Sequence, residues 1–208
     1  MSAFLGKIHY WLYDKIQLHE KIIEEIIRIS KNKGYNSDMM VKESYSRYGF
    51  PVRGVLENEI EHSNIHGWLQ ERIISVESRL AYVVNELLKN KIVKREELCE
   101  IFYENAAGTM KELGVNEGLP QDFFNLIFDY MLEGMPCDRV NEIIENNETM
   151  IQWKTIRDIH KQYWDAAGGD VNNFYSLRDA WINGFLEASG MEYKYTRTEE
   201  GINTIRQV

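Results

Sequence analysis

Cysteine and proline are scarce in this sequence: its 208 residues hold two of the first and three of the second. Two cysteines, Cys99 and Cys137, build no disulfide framework, and a chain of this length buries enough apolar surface to fold without one. Three prolines and 14 glycines exclude collagen-like and low-complexity chains and disfavour a many-turned all-β fold. No apolar run reaches the roughly 20 residues that a bilayer-spanning helix needs, so no membrane role is expected. Lys7 and His9 stand where a secretory leader would be apolar, and neither a glycine after Met1 nor a C-terminal cysteine offers a lipidation site. A cytoplasmic location is the expectation. Positive charge is also short: Lys+Arg 24 against Asp+Glu 33 leaves −9, a field that repels phosphate backbones, so no nucleic-acid partner is expected. The sequence has no glycine-rich phosphate loop, dinucleotide fingerprint, zinc-protease helix or nucleophile elbow. The common routes to phosphoryl transfer and nicotinamide chemistry are therefore poorly supported.

What the chain has in quantity is helical periodicity. Ile8, Trp11, Leu12, Ile16, Ile22, Ile23, Ile26 and Ile27 recur at three- and four-residue steps with charges between them, predicting an amphipathic helix over about 4–33. Similar patterning predicts helices near 38–48, 65–89, 94–113, 120–132, from 138 or 147 to 167, and 172–188. In the tail Met191, Tyr193 and Tyr195 alternate with Glu192, Lys194 and Thr196 before a turn at Gly201, which predicts a C-terminal β-hairpin. The expected fold is all-α: a single-domain bundle of five to seven helices over 1–190, with a tail or short hairpin at 191–208.

Within that pattern lies an internal repeat. Ile8, His9, Trp11, Leu12, Asp14, Lys15 and Ile16 return as Ile65, His66, Trp68, Leu69, Glu71, Arg72 and Ile73, always 57 residues on, and Glu20 returns as Glu77. A duplicated long helix is the simplest cause. On a helical wheel His9 and Glu20 fall about 20° apart at the margin of the apolar arc, as do His66 and Glu77. Partly desolvated polar groups need partners, and eleven residues rise about 16 Å, so these partners must come from another helix. Antiparallel copies would pair His9 with Glu77 and His66 with Glu20; parallel copies would set His9 against His66. Such contacts either fix helix register or bind a metal, since imidazole and carboxylate are the usual ligands in helical bundles.

Two further clusters carry histidine. Glu59-x-x-His62 has the spacing of half a di-iron motif, but the chain contains no second half, and cap residues Ser63 and Asn64 would place His62 outside the helix. His62-x3-His66 with His160-x4-Asp165 resembles fragments of the hemerythrin pattern, in which a four-helix bundle supplies histidines and carboxylates to an iron pair. The likeness covers those short spacings alone. His19 reads as a core histidine, replaced by Val76 in the second copy. Cys137 sits at an expected helix start, either a reactive thiol or a small residue in a tight turn.

The leading expectation is a bundle protein that binds a transition metal (Fe or Zn) or haem, with redox, sensing or metal-handling use. His9, His62, His66, Glu77 and His160 would be the ligands, and Trp11, Trp68, Tyr163 and Trp164 would line a pocket for the cofactor or another small-molecule ligand. One alternative is a metal-free homodimeric regulatory or scaffold protein in which the His–Glu pairs are structural. The other is an enzyme that uses a His/Glu acid–base pair on a small molecule.

Overall fold

The computed structural model describes residues 4–208; Met1 to Ala3, including the lipidation position, lie outside the described residues. In chain order the elements are α1 (Lys7–Asn32), α2 (Asp38–Tyr48), α3 (Leu56–Glu59), α4 (Ile65–Lys89), α5 (Arg95–Leu113), α6 (Pro120–Tyr130), β1 (Asn141–Asn147), β2 (Met150–Thr155), α7 (Lys161–Ala166), α8 (Val171–Ala188), β3 (Tyr193–Arg197) and β4 (Ile202–Gln207). The all-α expectation is therefore corrected: the fold is α+β, with eight α-helices among the described residues and a four-stranded antiparallel sheet of order β1-β2-β4-β3. The described residues divide into two compact units, 4–93, 130–135 and 160–170 in the first, and 94–129, 136–159 and 171–208 in the second.

In the first unit α1, α2 and α7 pack against α4. Helix α4 is buried without interruption from Ser75 to Val84, as befits a helix enclosed by neighbours rather than resting on one face. Its apolar residues Leu69, Ile73, Val76, Leu80 and Val83 form one core with Leu12, Ile16, Ile23 and Ile26 of α1. That enclosed stretch also carries Glu77 and Arg79, two groups seldom fully buried unless paired.

The second unit holds the sheet. The helix expected from 138 or 147 to 167 is instead the hairpin β1–β2, followed by the short α7 of the first unit. Two local causes explain this. The Asn147 side chain accepts the backbone N–H groups of Thr149 and Met150, both at 3.0 Å, which closes a tight turn. Beyond it the burial alternates, with Ile151 and Trp153 inside and Lys154 outside, the two-residue period of a strand. The C-terminal hairpin β3–β4 joins this sheet through β4, whose Ile205 pairs with Ile151. Phe124 and Phe128 of α6 meet Trp153 edge-on, with ring centroids 5.0 and 5.9 Å away, and Tyr195 stacks on it at 6.1 Å. Helices α5 and α8 cross so closely that a Cβ at Gly184 would fall 2.4 Å from the Tyr103 carbonyl oxygen.

Candidate functional site

The two copies of the repeat lie side by side and run in the same direction: His9 meets His66, and farther along Glu20 meets Arg79. At the first of these contacts the imidazole Nε2 atoms are 3.4 Å apart. The tautomer follows from the helix start. The Gly6 backbone N–H donates to His9 Nδ1 at 2.9 Å, so Nδ1 of the neutral ring carries no proton and Nε2 does. His9 Nε2–H thus points at His66 Nε2. Burial first, and the facing His66 second, lower the His9 pKa from its ordinary value. Asn64 caps α4 by accepting the Gly67 N–H at 3.2 Å. A Cβ at residue 67 would strike that cap 2.2 Å away, which explains why the second copy has glycine where the first has Tyr10. His62 lies before the cap, exposed, with its ring on the Glu57 carbonyl oxygen at 3.1 Å.

A second polar cluster lies in the interior of the same unit. Glu20 and Glu77 are each 2% exposed. Arg79 grips Glu20 with both terminal nitrogens, Nη1 to Oε2 at 2.7 Å and Nη2 to Oε1, a bidentate pair. Glu77 instead holds His160, whose Nδ1 lies 3.2 Å from its Oε2. Glu133 approaches the other side of that ring, Oε2 to Nε2 3.8 Å, an ion-pair distance longer than a hydrogen bond. Glu77 Oε1 is buried with no hydrogen-bond partner. Beside them on α1 sits His19, whose Nδ1–H donates to the Lys15 carbonyl oxygen at 2.9 Å, leaving the Nε2 lone pair as the basic site of the neutral ring.

These surroundings drive the two imidazoles apart. Burial lowers His19, and the charge of His160 and of Lys15 adds to the effect against the pull of Glu77, so His19 is neutral at pH 7. Burial alone would also lower His160, but Glu77 and then Glu133 outweigh it and carry the ring up to about 9. His160 is therefore an imidazolium at pH 7. Lys15 is buried as well, its ammonium 3.4 Å from the centre of the Trp11 ring.

The residues expected to bind metal thus fall into separate places. His9 and His66 meet each other. Glu77 and His160 meet eleven residues farther along α4, about 16 Å by helical rise. His62 bonds its own turn, and Asp165, the partner of His160 in the hemerythrin-like spacing, is exposed and paired with Lys161 at 2.7 Å. Among the described residues no three His, Cys, Asp or Glu side chains are grouped to hold a metal ion. Of the aromatic residues expected around a cofactor, Trp11 carries Lys15, Trp68 lies beside Tyr13 and Arg72, Trp164 is fully buried in α7, and its neighbour Tyr163 is half-buried. Cys137 is exposed in a short turn of the second unit.

Sequence reasoning missed Glu133 and gave His19 only a packing role. Glu133 lies at a break in helical periodicity, where no spacing rule applies. His19 had one signal, its position next to Glu20 in the repeated helix. No helix among the described residues is long and apolar enough to cross a membrane. Comparison of the chain with known protein families, with curated proteins and with solved structures returns no match.

Proposed function

We propose that the first unit carries an acid–base site for a small polar molecule, with His19 as base and His160, held by Glu77 and Glu133, as the protonated partner. One observation carries this reading: four stretches of chain bring ionisable groups together around the Glu77 carboxylate in the interior. These are α1, α4, the 130–135 segment and the residue before α7. Burying so many ionisable groups is expensive, and a contact needed only for helix register is met more cheaply by apolar residues.

The details suit proton transfer. His19 presents a neutral Nε2, while His160 keeps its proton well above neutrality, and two titratable groups pushed in opposite directions are how sites divide the roles of base and acid. The open Glu77 Oε1 is an acceptor for a substrate N–H or O–H. The cluster is enclosed, with His19 at 7% exposure and the Glu133 side chain at 9%, so the molecule it would take is small.

The test uses a probe reaction that needs only a base, the ring opening of nitrobenzisoxazole by removal of its carbon-bound proton. The wild-type chain accelerates it over buffer, and His19→Gln removes most of the acceleration while circular dichroism is unchanged. An equal rate in His19→Gln contradicts the assignment.

A further inference from the structure

We propose that His9 and His66 form a two-imidazole chelate for a divalent first-row transition ion, with water completing the coordination, where the duplicated helices begin. Three observations converge on this. The first is the bite: the Nε2 atoms are 3.4 Å apart, and two nitrogens each about 2.05 Å from one tetrahedral ion are separated by about 3.3–3.4 Å. The second is access. His66 is exposed and His9 half-buried, so the pair of nitrogens lies where solvent and a dissolved ion reach it. The third is the repeat itself. Tyr10 is matched by Gly67 and His19 by Val76, yet imidazole occupies both equivalent positions, and parallel packing sets the two copies face to face. An N–H···N bond needs one imidazole and any acceptor; a chelate needs both rings.

Ion binding is coupled to the start of α1. Without metal, the Gly6 N–H occupies His9 Nδ1 and the ring proton sits on Nε2. Ligation through Nε2 moves that proton to Nδ1, where it opposes the Gly6 N–H, so binding the ion releases the cap. The proposal is independent of the buried acid–base cluster, which lies about 16 Å away along α4.

The experiment is zinc titration of the full chain by calorimetry at about pH 7.5. It is done in a Cys137→Ser background, because the exposed thiol is a zinc ligand in its own right. One Zn2+ per chain is expected. His66→Ala, a change at an exposed position, weakens binding at least tenfold, His9→Ala does the same, and zinc speeds hydrogen exchange at the Gly6 amide. Absence of zinc binding, binding undiminished in His66→Ala, or a Gly6 amide indifferent to zinc would each overturn the proposal.

Discussion

Glu20 and Glu77 occupy equivalent places in the duplicated helices, equally buried, yet they hold different cations: Glu20 is clamped by Arg79, and Glu77 shares a proton-bearing contact with His160. The two repeated segments thus each place a carboxylate in the interior, with different surroundings. The guanidinium fork holds its carboxylate by two N–H groups as a fixed tie, whereas the imidazole can exchange its proton.

Removing the fixed tie isolates a buried charge. Arg79→Met should destabilise the chain by about 3–5 kcal/mol, because Glu20 is left without its partner. Adding Glu20→Leu should recover much of that loss. Urea denaturation of the single and double variants measures both, and a double variant no more stable than Arg79→Met would contradict the account.

The exchangeable tie predicts a pH dependence of definite sign. His160 titrates near 9 when folded and near 6.5 when unfolded, so its contribution is fully present below pH 6.5 and is lost as pH rises through 9. The amount is of order 3 kcal/mol. Stability should fall between pH 6.5 and 9 in the wild type, and the slope over that range should be shallower in His160→Gln.

In the second unit the close crossing of α5 and α8 makes its own prediction. Gly184→Ala sets a methyl against the Tyr103 backbone, which cannot swing aside as a side chain would. A loss of about 1–3 kcal/mol or more is expected from this overpacking, read as a lower denaturation midpoint. Gly108→Ala on the same α5 meets nothing within 4 Å and serves as the control, since a helical Gly→Ala change is stabilising by up to about 1 kcal/mol.

The long helices α1 and α4 were legible because their apolar residues follow a 3.6-residue period over many turns. The repeat was legible because tryptophan and histidine are rare enough for their recurrence to register. It led to two geometric alternatives, and parallel packing selected the one in which His9 faces His66. Strands β1 and β2 were not legible: Asn141 to Thr155 is too short to separate one period from another, and its edge strand β1 is exposed along most of its length, so it shows little alternation. The interior cluster was half legible. Glu77 and His160 carried signals of type and spacing, but their meeting depends on tertiary placement of the residue before α7, which no local pattern encodes. His19 looked like packing because its second-copy equivalent is Val76, and it acquires chemistry only from the Lys15 carbonyl and the charges around it.

The protonation of His19 and His160 tests the central claim most directly, and it is read by nitrogen NMR of the two rings across pH. The account predicts that at pH 7 His160 carries protons on both nitrogens and releases one only near pH 9, while His19 is neutral with its proton on Nδ1. Two rings titrating together near 6.5, or a neutral His160 at pH 7, would contradict it.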